Sequence, residues 1–108
     1  MAIWNAGESA FKPFLETTEE DIRMLLDANA LAAFGFARAA ILAFKEQDIE
    51  PSNGKRGALI FTGATASLRG NYTTAAFSAS KFALRALSQS LGKEFGKQNI
   101  HVSIILIV

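Results

Sequence analysis

The stretch Ala58-Leu59-Ile60-Phe61-Thr62 runs apolar without alternation and stops at Gly63. A strand with one wet face would alternate, so an unbroken run suits a strand covered on both faces, as in a parallel sheet. Ile104-Ile105-Leu106-Ile107, inside a strand read from Ile100 to Val108, has the same character. A shorter apolar stretch, Ala2-Ile3-Trp4, ends at Asn5-Ala6-Gly7, where glycine admits backbone angles closed to other residues and a turn is expected.

Between these strands lie two helical segments. Thr17-Thr18-Glu19-Glu20 has the T-x-x-E form of a capping box, and Asp21 adds negative charge at the positive end of a helix dipole. Leu25, Leu26, Leu31, Phe34, Ile41, Leu42 and Phe44 follow with Ala and Gly between them, so this helix is apolar around most of its circumference from Ala28 onward. Burial on more than one side is expected. Asp48 to Gly57 collects Pro51, Ser52, Asn53 and Gly54, which reads as a surface loop turning at Asn53-Gly54. A second helix is expected from Thr74 to Phe95, packed through Phe77, Phe82, Leu84, Leu87 and Leu91 and stopped by Gly96.

The order strand, helix, strand, helix, strand implies an α/β fold, a βαβαβ half-sheet of parallel strands with right-handed crossovers. If the strands are added in one direction, both helices lie on the same face, and the opposite face is bare. Strands this apolar then look like part of a larger layered domain, with the whole chain, residues 1–108, a single partial domain.

Composition narrows the function. The chain has 108 residues, 11 Lys plus Arg against 10 Asp plus Glu, and a formal charge of +1, so it offers no basic field for nucleic acid or an anionic membrane. Half of it is apolar and its mean hydropathy is +0.21, which argues against disorder and for a surface that expects a partner. Cysteine is absent, which removes disulfides, thiolate catalysis and Cys-based zinc sites, and the single His101 cannot build a histidine cluster. The start Met1-Ala2-Ile3-Trp4 lacks the features of a signal peptide, so a cytoplasmic location is expected. Ala28 to Phe44, interrupted by Asn29 and Arg38, is shorter than the roughly 20 residues of a bilayer span, so no membrane crossing is expected. A hydrolase is disfavoured: there is no G-x-S-x-G elbow, and His101, read as a partly buried strand residue, is the only histidine base.

Four features occur in a fixed order: Asn5-Ala6-Gly7 after a strand, Asn29 within a helix, Thr62-Gly63-Ala64-Thr65-Ala66-Ser67 at a strand end, and Phe77-Ser78-Ala79-Ser80-Lys81 opening a helix. Together they resemble the short-chain dehydrogenase/reductase family over essentially the whole chain, including Lys81 to Leu87, from the fourth strand of its doubly wound, Rossmann-like sheet to the sixth. The resemblance implies hydride transfer between NAD(P) and a small-molecule alcohol or carbonyl. It implies that Lys81 holds the nicotinamide ribose and lowers the pKa of a catalytic tyrosine, a cation near a phenol favouring the phenolate. It further implies that Asn29 kinks its helix and orients a water in a proton relay, and that Asn5, Ala6 and Gly7 turn past the cofactor's adenosine ribose. The blander readings are that Lys81 is a solvated helix lysine, Asn29 a helix asparagine bonded to nearby backbone, and Asn5-Ala6-Gly7 a plain strand-ending turn. Trp4 reads as a core residue.

The sequence departs from that pattern at the reacting groups. The tyrosine position, four before Lys81, is Phe77, and the serine position, thirteen before Phe77, is Ala64. Neither side chain can donate or accept a proton. Thr65 is the neighbour best placed by sequence to substitute for the serine; Tyr72, the only tyrosine, stands nine residues before Lys81 and is expected to point elsewhere. No glycine-rich dinucleotide fingerprint is present, so the cofactor-binding half of the fold is lacking, and NAD(P) binding by this chain is doubtful. The resemblance thus implies an oxidoreductase impaired as this chain. The alternative is a non-catalytic module that associates, as a homo-oligomer or with a relative, through its two helices.

Overall fold

The computed structural model of the chain describes residues 1–107. Its strands are β1 (Ala2–Trp4), β2 (Gly57–Ala64) and β3 (Ile100–Ile107), and its main helices are α1 (Glu19–Leu26), α2 (Ala32–Lys45) and α3 (Ala75–Phe95). The strands form one parallel sheet in the order β1-β2-β3, with Trp4 opposite Phe61 and Phe61 opposite Ile104. This is the expected βαβαβ half-sheet. Val108, the expected end of the last strand, lies outside the described residues.

Strand side chains alternate between faces, and burial follows that alternation. Leu59 and Phe61 are fully buried beneath Ala33, Ala37, Ile41 and Phe44 of α2 and Leu84 and Leu87 of α3, so both helices cover one face. The other face is open: Ile3, Ile105 and Ile107 are each more than half exposed. His101 pairs with Ala58 on this open face and is exposed, where the sequence suggested partial burial. Burial of the first long helix on several sides does not hold either, since Leu31, Phe34 and Leu42 remain largely exposed on its outer side.

Three local details correct the sequence reading. Thr18, not Thr17, caps α1: its Oγ1 accepts from Asp21 N at 3.1 Å, and Asp21 Oδ2 accepts from Thr18 N at 3.0 Å. Between α1 and α2 the backbone makes a π turn, Asp27–Leu31, so the helical run from Glu19 to Lys45 is continuous but widened by about a residue. At 27 residues that run is long and apolar enough to cross a bilayer, so the argument from length fails; here it packs along the sheet. Gly96 keeps right-handed helical angles, and the left-handed residue that releases the chain into β3 is Asn99, with φ of 64°. Gly54, with φ of 70°, makes the expected turn after Asn53.

Asp21 also accepts from Lys12 Nζ at 2.8 Å, and Lys12 N donates to Thr73 O at 3.0 Å, which straps residues 8–17 across α1 and the approach to α3. The Lys12 hydrogen bond, with those from Thr18, holds the Asp21 carboxyl down from 3.8 to about 2. A lowered carboxyl pKa stabilises the fold above the unfolded value, and that contribution is lost as pH falls through the folded value. Asp21→Asn should therefore lower Tm at about pH 6, and the gap should have shrunk markedly at about pH 1.5, where most of the Asp21 side chain is protonated. An equal Tm gap at both pH values, read by circular dichroism, would show that the charge of Asp21 is not what matters.

Candidate functional site

The C-terminal ends of parallel strands are where open α/β sheets form crevices. Here the ends of β1, β2 and β3 and the start of α3 border an open cleft of about 340 Å³. Asn5, Ala6 and Gly7 line it on one side, Thr62, Gly63 and Ala64 at its floor, and Phe77 and Lys81 on the other side. The three segments singled out in the sequence thus meet at one place.

Asn29 joins them. The π turn puts its side chain inward, fully buried. Its Oδ1 accepts from Glu8 N at 2.7 Å, while Nδ2 donates to Glu8 O at 2.9 Å and to Ser80 Oγ at 3.0 Å. Ser80 Oγ in turn donates to Phe77 O at 2.6 Å. Asn29 is thus bonded to two distant segments, not to nearby helix backbone. A glycine is needed beside it: a Cβ on Gly7 would stand 2.6 Å from Asn29 Oδ1 and 3.5 Å from Lys81 Nζ.

Lys81 is half-buried, with Nζ 5.7 Å from the centroid of the Phe77 ring. Among the described residues no ion pair reaches it, and burial pushes its ammonium below the usual lysine range. Phe77 meets Phe11 edge to face, ring centroids 5.3 Å apart, so the strap over α1 also touches the start of α3 beside the cleft. Ala64 presents only a methyl group, and its N–H donates to Ser67 Oγ at 3.2 Å. Thr62 lines the cleft, whereas Thr65 starts a short 3-10 turn beside it and Tyr72 is 90% exposed, away from the cleft. Trp4, next to the Asn5 turn, packs against Phe36 at 5.3 Å with its Nε1 buried and unpaired. Among the described residues no cluster suited to a metal ion occurs.

Sequence reasoning missed Ser80 and Phe11. A serine directly before Lys81 reads as a small helix residue, and only its link to Asn29 across 51 positions gives it a role. Phe11 sits in a segment with no periodic pattern.

Residues 1–107 match the short chain dehydrogenase family. The chain belongs to that family. It is 34% identical over 94 residues to an L-2,3-butanediol dehydrogenase of Corynebacterium glutamicum, covering 87% of this chain and 34% of the relative. It is 32% identical over 105 residues to a 3alpha-hydroxysteroid dehydrogenase of Mediterraneibacter gnavus, covering 97% and 39%. Among solved structures it superposes on a short-chain dehydrogenase from Rhodopseudomonas palustris with a TM-score of 0.82 and 39% identity, covering 96% of this chain and 46% of that one. A 4-hydroxyisoleucine dehydrogenase complexed with NADH and succinate superposes with a TM-score of 0.84 and 31% identity, again covering 96% and 46%. The chain therefore spans between a third and a half of the length of these short-chain dehydrogenases and corresponds to one part of their Rossmann-type sheet.

The contact between Gly7 and Asn29 sets up a double-mutant cycle. Gly7→Ala should cost about 1–3 kcal/mol through overpacking, and Asn29→Ala a similar amount by leaving buried partners unpaired. Because the added methyl meets Asn29 itself, the Gly7→Ala cost should largely vanish in the Asn29→Ala background. Additive costs in urea unfolding would show that the two residues do not bear on each other.

Proposed function

We propose that this chain is the segment of a short-chain dehydrogenase-type oxidoreductase that carries the nicotinamide side of the site, and that its proton-transfer chemistry is impaired. The observation that carries this reading is the convergence of Gly7 and Lys81 on one cleft, with Asn29 buried against Gly7, where the tyrosine and serine positions of the resemblance are filled by Phe77 and Ala64, neither of which has an exchangeable side-chain proton. NAD(P), when bound, supplies or accepts a hydride at a small-molecule alcohol or carbonyl. Lys81, unpaired and facing the cleft, is suited to hydrogen-bond ribose hydroxyls, and Asn5, Ala6 and Gly7 offer a backbone surface with little side-chain bulk. The fit is partial. No glycine-rich turn within these residues cradles a diphosphate, so affinity for the dinucleotide is weak.

Asn29 acts as a positioning residue, fixing the Glu8 backbone and, through Ser80, the turn of α3 that carries Phe77 and Lys81. With Phe77 in the tyrosine position, the proton that must accompany hydride transfer has no phenol to move through; such general acid/base catalysis typically contributes about 10²- to 10⁴-fold.

Two measurements test the reading. Trp4, the only tryptophan, lies beside the Asn5 turn, so NADH should quench its emission weakly but saturably, and Lys81→Met should remove the effect. Quenching that is absent, or unchanged in Lys81→Met, would contradict the cofactor assignment. Impairment is tested by grafting this segment into the matching region of an NADH-binding relative. Carbonyl reduction should be slow with Phe77 and Ala64, and should rise by about 10²- to 10⁴-fold when Phe77→Tyr and Ala64→Ser are introduced together. A rate equal to that of the parent enzyme before those changes would overturn it.

A second reading rests on a separate observation. Phe34, Leu42, Leu87, Leu91 and Phe95 line a largely apolar groove of about 440 Å³ between α2 and α3, and Leu31, at the end of the π turn, and Phe82, on α3, are also exposed. Apolar surface of this kind favours association with a second copy of the chain. The chain should sediment as a dimer, and Phe34→Lys with Leu42→Lys should make it monomeric; a monomeric parent chain would refute this reading.

A further inference from the structure

We infer that Lys81 serves in this cleft as a nucleophilic amine, condensing with small carbonyl compounds to form an imine. This goes beyond hydride transfer and does not depend on it. The geometry has three parts. The Lys81 Nζ lies at the wall of an open cleft of about 340 Å³, so a small aldehyde can reach it from solvent. No carboxylate pairs with it among the described residues, and Glu8, the only other ionisable side chain lining the cleft, is exposed, with its backbone held by Asn29. Its aromatic neighbour Phe77 has no hydroxyl, so no phenolate pairs with the ammonium; the ring, 5.7 Å from Nζ, offers the ammonium only a weak cation–π attraction, and with Phe11 behind it gives an apolar surface for the carbon part of the carbonyl compound.

An amine that is desolvated in this way spends more time unprotonated, and lysines in apolar pockets act as nucleophiles for that reason. Burial does push the Lys81 ammonium below its usual range.

In the reaction the ammonium first gives a proton to water. The free amine adds to the carbonyl carbon, the C=O π bond opens, and a proton passes through water from the nitrogen to the oxygen to give a carbinolamine. Loss of that hydroxyl as water, with the remaining N–H proton, leaves a C=N bond. One water is released, and nothing is oxidised or reduced.

The test traps the imine. The folded chain is incubated with benzaldehyde and sodium cyanoborohydride at neutral pH, the reagent's hydride converting the imine to a stable secondary amine, and modified lysines are mapped by peptide mass spectrometry. Lys12, Lys45, Lys55, Lys93 and Lys97 are exposed and serve as internal references. Lys81 should carry a several-fold excess of label over each of them, and the excess should disappear in concentrated urea. Even labelling of the native chain, or an excess at another lysine, would overturn the proposal.

Discussion

Asn29 is buried completely, yet three of its four hydrogen-bonding positions are filled by partners from other segments. A buried amide left unpaired costs about 1–3 kcal/mol, so a position like this specifies its surroundings: the fold must deliver both polar backbone groups of Glu8 and the Ser80 hydroxyl to it. Three features answer to that demand. The helix opens into a π turn at Asp27–Leu31, which aims the side chain inward. Residue 7 is glycine, because a Cβ there would intrude on Oδ1. Ser80 turns its hydroxyl between Asn29 and the Phe77 carbonyl, tying the first turns of α3 to the loop after β1. Lys81 and Phe77 stand where they do as a consequence of this arrangement.

The chain's energetics are divided between a well-packed face and an open one. Leu59 and Phe61 lie under two helices with no measurable exposure, while Ile3, Ile105 and Ile107 on the reverse face stand in water. At about 25 cal/mol per Å² of apolar surface, covering that reverse face would be favourable. In a family whose members are two to three times longer, a bare face on a three-strand section has a simple architectural meaning: a parallel sheet is stable when both faces are covered. The strand β3, at the edge of this sheet, is β-prone and uncharged at Ile104-Ile105-Leu106-Ile107, with Ile105 and Ile107 on the uncovered face, and is therefore liable to aggregate.

Most of the architecture was legible in the sequence because it rests on local patterns. Unbroken apolar runs marked β2 and β3, and the expected bounds of α3 differ from the observed ones by one residue. The cap of α1 was misplaced by one position because Thr17 and Thr18 both qualify, and the choice fell to Asp21, whose short carboxylate reaches the Thr18 backbone and Lys12 together. The π turn was not legible, since it follows from what Asn29 bonds to in space. Burial was misjudged at Leu31, Phe34 and Leu42 for a related reason: composition reports that a surface is apolar, not what lies against it. Within the site, Phe77 and Lys81 could be singled out through the family resemblance, and their spacing of four residues puts them on one helix face. Ser80 and Phe11 could not, because their partners are set by tertiary contacts.

The most direct test of this account is amide hydrogen exchange at Glu8. Its residue is exposed and lies outside any helix or strand, so on local grounds its N–H should exchange as fast as that of Ser9. If the Asn29 side chain organises the site, the Glu8 amide is held at 2.7 Å from Oδ1 and is protected to nearly the level of the α3 amides around Ser80. Exchange at Glu8 as fast as at Ser9, in a chain whose α3 amides are protected, would contradict the account.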